Sequence, residues 1–294
     1  MFYRRKLILA ILEIFGGKLG KINLQKLLFI VSKRQSETTY DFVPYKFGAY
    51  SYSANADLSA MVKHGFLIED ETSFEKKDKL SYLMQLNAKD KQLVKQMHLL
   101  FKDFDADALM KYTYRTYPES AINSTTADRL MTPAELKAIQ EKKPFSRGTI
   151  LYTIGYEGIS LEGYLNKLLK HDIKVLVDVR RNALSQKYGF SKNQLAGACR
   201  NINIEYIHFS DVGIHSDERQ ELNTQDDYDL LFESYRQRTL SETLSTQHEI
   251  LELLKEKERI ALTCFEKNIC QCHRKHLSEA IMRLPGWQYE LKHI

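Results

Sequence analysis

The chain has 294 residues, of which 43% are hydrophobic, and its 43 Lys and Arg against 38 Asp and Glu give a formal net charge of +5 at pH 7. This length predicts roughly two domains with cores of their own, and no apolar run approaches the ~20 residues that span a bilayer. Three of the four cysteines are crowded between positions 264 and 272, which excludes a secreted disulfide scaffold. The sequence therefore predicts a soluble, globular, cytoplasmic protein without a signal peptide.

The charge is unevenly distributed along the chain. Residues 1–150 carry a net charge of +7, whereas residues 151–294 carry a net charge of −2. A basic front half suits DNA or RNA as a partner, because lysine and arginine neutralise phosphates. The alternative is an ordinary solvated surface.

Residues 1–86 are predicted to form a winged helix-turn-helix-like domain. Apolar spacing and turn residues predict a series of elements: helices at 2–15, 22–32 and 54–64, an extended aromatic segment at 40–50, a strand at 66–69, a charged turn at 71–78 and a second strand at 80–86. Short helices that end in a β-hairpin are typical of winged domains, which place one helix in the DNA major groove. The candidate nucleic-acid contacts are Lys26, Lys33, Arg34 and Lys46. The alternative is a winged domain that binds protein or dimerises.

Two motifs in this region resemble the Panacea (SocA antitoxin-like) domain family. They are INLQKLLF at residues 22–29 and YKFGAYS at residues 45–51. The family has an L-x-K-L-(L/V)-(Y/F) helix followed by a Y-x-x-G-P segment, and here Ala49 replaces the proline. The resemblance implies a regulatory or recognition module rather than an enzyme.

Residues 87–147 are predicted to form a helical connector. Polar helical patterns cover residues 88–101, 106–114 and 132–142. Thr132, Pro133 and Glu135 together predict a helix start with a capping box.

Residues 148–294 are predicted to form a parallel α/β domain. Four apolar, β-branched runs at 149–154, 175–179, 204–209 and 260–264 alternate with helical patterns, one of them continuous over 228–257. Such an alternation is typical of a parallel sheet with covered faces. Ligands bind such sheets just beyond the carboxyl ends of the strands.

Chemically reactive residue types gather at these four predicted strand ends. They are Tyr156, Glu157, Asp178, Arg180, Arg181, His208, Cys264, Glu266, Cys272, His273 and Arg274. Among them, we expect Tyr156, Glu157, Arg180, Glu266 and the triplet Cys272-His273-Arg274 to line one pocket.

Several of these residues suit an anionic ligand. Arg180, Arg181 and Arg274 offer forked donors for phosphate or carboxylate, and a helix that begins near Cys272 would add backbone N–H groups. The sequence thus predicts a ligand that carries a phosphate or is a nucleobase, with Tyr156, Asp178 and His273 as further contacts. The alternative for Arg180 is a structural salt bridge with Asp178.

Other residues at these strand ends suit acid–base chemistry. Glu157 and Glu266 are candidates for general acid and base, and His208 is a candidate proton shuttle. Each has a structural alternative, as an arginine partner or as a satisfied histidine in the core.

The cysteines allow more than one interpretation. A thiol at a helix start beside His273 and Arg274 is expected to have a lowered pKa, which favours nucleophilic or redox chemistry at Cys264 or Cys272. The alternatives are structural cysteines in the core and a zinc site formed by Cys264, Cys270, Cys272 and His273, although the C-x5-C-x-C-H spacing matches none of the common zinc patterns. No metal and no cofactor are therefore predicted.

Four motifs in this domain resemble the domain of unknown function 488 family over about residues 148–285. They are TIGY at 153–156, VDVR at 177–180, LTCFE at 262–266 and CHR at 272–274. Residues 211–214 (DVGI), followed by Arg219, resemble a further family segment, whereas Asn182-Ala183 stands where the family often has a proline. The resemblance implies a fold and a site but no activity, because the family's reaction is not established. A weaker similarity to rhodanese-like sulfurtransferases lacks their C-x5-R loop.

Three functions follow from these residues. The first is a nucleic-acid-associated protein whose α/β domain hydrolyses a glycosidic or phosphodiester bond, in defence against foreign DNA. The second is a cysteine-dependent sulfur-transfer or redox enzyme. The third is a non-catalytic, ligand-sensing DNA-binding regulator.

Overall fold

The computed structural model describes residues 1–215, 222 and 224–294. The chain divides into two compact units, Met1–Lys143 and Pro144–Ile294. Residues 87–143, expected as a connector, lie in the first unit, where Val94, Met97 and Phe101 join its core. Within the described ranges, every helix is too short or too polar to cross a membrane.

The first unit is mainly helical. Its helices are α1 (Tyr3–Ile14), α2 (Lys21–Arg34), α3 (Tyr52–Lys63), α4 (Ala88–Phe101), α5 (Ala106–Thr116), α6 (Ala127–Leu130) and α7 (Pro133–Gln140). Its strands are β1 (Lys18–Gly20), β2 (Val43–Tyr45), β3 (Gly48–Tyr50), β4 (Leu67–Glu69) and β5 (Ser73–Lys76). Strands β1, β5 and β4 form an antiparallel sheet in that order, and β2 pairs with β3. The predicted capping box at Thr132 and Glu135 is confirmed at the start of α7.

The predicted strand over residues 80–86 is wrong. That segment holds a 3-10 turn at Leu83–Gln85, and the partner of β4 is β5, which lies inside the expected charged turn. The Asp70 carboxylate accepts hydrogen bonds from the backbone N–H groups of Thr72 and Ser73, so the chain reverses soon after β4. Local side-chain hydrogen bonds of this kind favour a tight turn.

The second unit contains a parallel sheet, as predicted. Its elements are β6 (Ile150–Gly155), α8 (Leu161–Lys170), β7 (Val175–Asp178), α9 (Lys192–Arg200), β8 (Glu205–His208), α10 (Gln225–Gln237), α11 (Thr239–Glu242), α12 (Leu244–Lys257), β9 (Arg259–Cys264), α13 (His273–Met282) and β10 (Glu290–His293). The five strands are ordered β10-β6-β9-β7-β8, and every pair is parallel. Strand β10 was not predicted, and the helical pattern over 228–257 is divided among three helices.

The sheet determines where the site lies. Strands β7 and β9 are buried along their whole lengths, with Val175, Val177 and Leu262 fully covered, as expected for parallel strands between helices. Because all strands run in one direction, β6, β7, β8 and β9 deliver their carboxyl ends to the same edge. The last residues of these strands include Asp178, His208 and Cys264.

Candidate functional site

A cavity of about 310 Å³, here called the strand-end cavity, opens at the carboxyl ends of the strands. Its lining residues are Tyr156, Arg180, Arg181, Asn182, Leu184, Ser185, Gln186, Ile214, Cys264 and Phe265. Of the residues expected to share one pocket, Tyr156 and Arg180 line this cavity, together with Arg181 and Cys264, which also follow predicted strands. The other predicted residues lie outside the lining of the cavity.

Arg180 forms a buried ion pair with Asp178. The Arg180 side chain is 5% exposed and that of Asp178 is fully buried, and Nη2 of Arg180 lies 2.5 Å from Oδ2 of Asp178. Nη1 of Arg180 donates to the Tyr156 hydroxyl at 2.7 Å and to the Phe190 carbonyl at 2.9 Å. Other groups of the protein therefore occupy most of the Arg180 donors. The salt bridge with Asp178 is the structural alternative that the sequence allowed for Arg180.

An aromatic wall stands beside this ion pair. The Tyr156 ring stacks on Phe190 with centroids 4.3 Å apart, and Lys187 Nζ donates to the Tyr156 carbonyl at 2.6 Å. The Tyr206 hydroxyl donates to Oδ2 of Asp178 at 2.6 Å. Sequence reasoning missed Lys187, Phe190 and Tyr206. A signal existed for Tyr206 alone, because it lies two residues before His208 on a strand, where side chains at i and i+2 share a face.

Arg274 holds the loop after β9 rather than lining the cavity. Its side chain is buried, and Nη1 donates to the Glu266 carbonyl at 2.6 Å. This loop passes so close to β6 that a Cβ on Gly155 would lie 1.9 Å from the Glu266 carbonyl oxygen. Of the three arginines expected to converge on an anion, only Arg180 and Arg181 line the cavity.

Glu157 and His208 do not line the cavity, and each makes a hydrogen bond with a backbone group. The exposed Glu157 carboxylate accepts a hydrogen bond from the Lys267 backbone N–H at 2.9 Å. His208 Nε2 lies 2.8 Å from the Arg180 carbonyl, and since a carbonyl can only accept, Nε2 is the donor. These contacts support the loops that follow β6 and β7.

A buried thiol cluster lies against the cavity, and we define it as Cys264, Glu266, Cys272 and His273. The Cys264 Sγ is 3.1 Å from Oε2 of Glu266 and 3.7 Å from Nδ1 of His273. His273 Nε2 donates to the Val179 carbonyl at 2.9 Å, which leaves Nδ1 facing Cys264.

Local structure explains why the cluster forms. Cys264 is the last residue of β9, and Cys272 and His273 stand where α13 begins after a short 3-10 turn. The cap residue Cys272 has no side-chain cap hydrogen bond, so the positive end of the α13 dipole is directed at the cluster. The exposed Cys270 lies outside the cluster.

The cluster shifts the pKa of each of its members. Burial alone would raise the pKa of the Cys264 thiol, but a hydrogen bond with Cys272 and the charge of His273 bring that pKa well below its usual range. Burial, the hydrogen bond to Cys264 and the charge of Cys264 raise the pKa of Cys272. Burial and the charge of Cys264 raise the pKa of Glu266. Burial opposes a higher pKa at His273, but the charge of Cys264 outweighs it. The cluster therefore favours a Cys264 thiolate beside a His273 imidazolium.

The same side chains bring donor atoms of a soft type together. The sulfur atoms of Cys264 and Cys272 and a ring nitrogen of His273 all lie within 4.8 Å of one another. Sulfur and imidazole donors in this arrangement could hold zinc or copper(I). The spacing along the chain gave no such indication, because the fold and not the motif brings Cys264 to the start of α13.

The four predicted nucleic-acid contacts of the first unit differ in exposure. Lys26 is 2% exposed, and its Nζ donates to the Ala49 carbonyl at 2.9 Å. The β2–β3 hairpin covers this face of α2, so Lys26 does not lie on the outer surface where the backbone of a nucleic acid would pass. Lys33 and Arg34 at the end of α2, and Lys46 between β2 and β3, are exposed.

Comparison with protein-family models gives a match within the second unit. A search of curated proteins found no match to this chain. A family model described as "Domain of unknown function DUF488" matches residues 160–281. The matched segment includes β7, β8, β9 and the thiol cluster, whereas Arg219 of the resembling family segment lies outside the described residues. Residues 160–281 of the second unit are therefore similar to the DUF488 family.

Proposed function

We propose that the second unit is a thiol-dependent enzyme in which Cys264 attacks a sulfur electrophile, such as a disulfide or a persulfide. One observation carries the proposal. The Cys264 side chain lines the strand-end cavity, while an imidazole nitrogen 3.7 Å away and a carboxyl oxygen 3.1 Å away contact its sulfur from within the unit. A nucleophile beside a base that a third group orients is the general pattern of covalent catalysis.

The proposed reaction is a thiol–disulfide exchange in which the electrons balance. The Cys264 thiolate attacks one sulfur of the substrate S–S bond, a new S–S bond to Cys264 forms, and the leaving thiolate takes a proton from His273. Cys272 then attacks the Cys264 sulfur and gives its proton to the departing thiolate, so that a Cys264–Cys272 disulfide forms. A disulfide substrate is reduced to two thiols, or a persulfide to a thiol and hydrogen sulfide, while the protein dithiol is oxidised, and a dithiol reductant restores the starting state.

One residue of the strand-end cavity, Arg181, favours a substrate that carries a negative charge. Arg181 lines the cavity, and among the described residues its side chain makes one long contact, from Nη1 to the Ser210 carbonyl at 3.5 Å. The remaining forked donors suit a carboxylate or phosphate on the substrate. The proposed substrate class is therefore a sulfur compound that carries an anionic group.

The carboxylate hydrolysis hypothesis has less support from the same geometry. Glu157 is exposed and engaged by the Lys267 N–H, and Glu266 lies beside Cys264. A pair of carboxylates for hydrolysis would have to face a substrate between them, and neither residue lines the cavity.

The test of thiol chemistry is a thiolate titration. In a Cys270→Ser background, we expect the ultraviolet thiolate absorbance to persist well below the ordinary cysteine pKa of about 8.5, because His273 stabilises the anion. Cys264→Ser should abolish that signal, and His273→Gln should move it toward the ordinary range. Alkylation followed by peptide mass spectrometry identifies the sulfur that reacts.

Controls separate thiol chemistry from metal binding and from an inert core. Metal content is measured before and after chelation, since a bound ion would also hold the thiols deprotonated. A thiolate that remains in metal-free protein, with Cys264 as the alkylated residue, supports the proposal. A thiolate signal that disappears with the metal, or a Cys264 that titrates like a free thiol, refutes it.

Nucleic-acid binding by the first unit is a second proposal. Its support is the element order α1-β1-α2-β2-β3-α3-β4-β5 with the sheet order β1-β5-β4, which is the arrangement expected of a winged helix with the β2–β3 hairpin inserted between its second and third helices. Lys33, Arg34 and Lys46 remain exposed and basic.

The test of this second proposal is the salt dependence of duplex DNA affinity. We expect Lys33→Ala, Arg34→Ala and Lys46→Ala each to reduce the slope of log affinity against log salt concentration by about one, because each removes a phosphate contact. Lys102→Ala, an exposed lysine at the end of α4, is the control. A flat salt dependence, or equal losses in the control, would contradict nucleic-acid binding.

A further inference from the structure

A second cavity lies in the first unit, where the β2–β3 hairpin covers α2. Its volume is about 250 Å³. Its lining residues are Lys21, Ile22, Gln25, Lys26, Tyr45, Lys46, Phe47, Gly48, Ala49, Tyr50, Asn55, Leu58 and Phe74. We call it the lysine cavity, because three lysines line it and no Asp or Glu does. The cavity is thus apolar in its body and positive in its charge.

Lys26 is the unusual member of this lining. Its side chain lies among apolar residues in the first half of α2, and in the part of the chain that the structure describes its one hydrogen bond goes to the Ala49 carbonyl. Burial lowers the pKa of Lys26 to about 7. A buried ammonium group without a carboxylate is costly, so an anion brought next to it would gain an unusually strong partner.

The other two lysines of the lining, Lys21 and Lys46, do not remove the preference of the cavity for an anion. Lys21 pairs with Glu69 at 2.7 Å, and both side chains are substantially exposed. Lys46 lies over the rings of Tyr45 and Phe47. Glu69 thus balances the charge of Lys21, whereas Lys46 is exposed and adds positive charge to the lining, and Lys26 supplies the only buried amine among the lining residues.

We propose that the lysine cavity binds a small monoanionic carboxylate with an apolar body, whose carboxylate contacts Lys26 and whose hydrocarbon part lies against Tyr45, Tyr50 and Leu58. The volume favours a ligand of about one ring, since drug-sized pockets begin at roughly 300 Å³. A single buried amine suits a single negative charge better than a dianion, which would need further buried donors. This inference is independent of the thiol chemistry of the second unit.

The test uses the full chain with two probe carboxylates, 3-phenylpropionate and hexanoate, and the neutral amide of the first probe. Ligand-observed saturation-transfer NMR and calorimetry measure binding. We expect at least one carboxylate to bind and the matching amide to bind about tenfold or more weakly. Lys26→Met keeps the length of the side chain and should weaken carboxylate binding by a similar factor.

Lys63→Met, at an exposed lysine of α3, is the matched control and should bind as the unaltered chain does. Thermal unfolding checks that Lys26→Met folds, which is expected because the substitution removes a buried charge. If that variant does not fold, the comparison of the carboxylate with its amide still shows whether binding depends on the negative charge of the ligand. Absence of binding by both carboxylates, equal affinity for acid and amide, or unchanged affinity in a folded Lys26→Met variant would each overturn the proposal.

Discussion

Asp178→Ala is expected to lower the unfolding free energy of the second unit by about 3–5 kcal/mol, the usual cost of removing one partner of a buried ion pair. The Arg180 side chain is 5% exposed and its charge would lose its counter-ion. The Tyr206 hydroxyl would lose its acceptor as well. Urea unfolding followed by fluorescence reports on this unit alone, because Trp287 is the only tryptophan of the chain.

A matched comparison distinguishes burial from charge. Glu233→Ala breaks an exposed ion pair with Arg236 on α10, and solvent screening should leave the unfolding midpoint almost unchanged. Adding Arg180→Met to Asp178→Ala should recover part of the loss, since the unpaired charge is then gone. An Asp178→Ala variant as stable as Glu233→Ala would contradict the buried ion pair.

Gly155→Ala is expected to disrupt both the stability of the second unit and the thiol cluster. The new Cβ would lie 1.9 Å from the carbonyl oxygen and 2.7 Å from the carbonyl carbon of Glu266. Backbone cannot yield as a flexible side chain does, so the loop after β9 must move at a cost of about 1–3 kcal/mol or more. Because Glu266 contacts the Cys264 sulfur, the low-pH thiolate signal should be lost together with several degrees of thermal stability.

Gly197→Ala is the control for this substitution. Gly197 lies in α9, and an added Cβ would meet nothing within 4 Å. Alanine in a helix interior is favoured over glycine by about 0.5–1 kcal/mol, so this variant should keep its thiolate signal and be as stable or slightly more stable. If Gly155→Ala behaves like Gly197→Ala, the close approach of the loop to β6 is refuted.

The strands that sequence reasoning predicted are those buried on both faces. Residues 175–177 and 260–262 form unbroken apolar runs because helices cover both sides of β7 and β9. Strand β10 was missed because it is an edge strand on which Leu291 alone is partly covered. Strand β5 was missed because Phe74 is its one large apolar residue and charged residues surround it.

The site was predictable in place but not in its contacts. The rule for strand ends brought Tyr156, Arg181 and Cys264 to one cavity. The rule could not predict that Arg180 would form an ion pair with Asp178 whereas Arg181 would not, because the difference depends on packing around the loop. The burial of Lys26 was not predicted for a similar reason, since the hairpin that covers it is remote from α2 in sequence.

The strand order has a consequence for synthesis on the ribosome. Strand β6 is the first of the sheet to be made, yet both of its neighbours, β9 and β10, begin only at Arg259 and Glu290. A nascent chain therefore presents the apolar residues 150–154 with two unpaired edges while about a hundred further residues are added. Strand β6 is accordingly the segment of this protein at which chaperone binding during translation should concentrate.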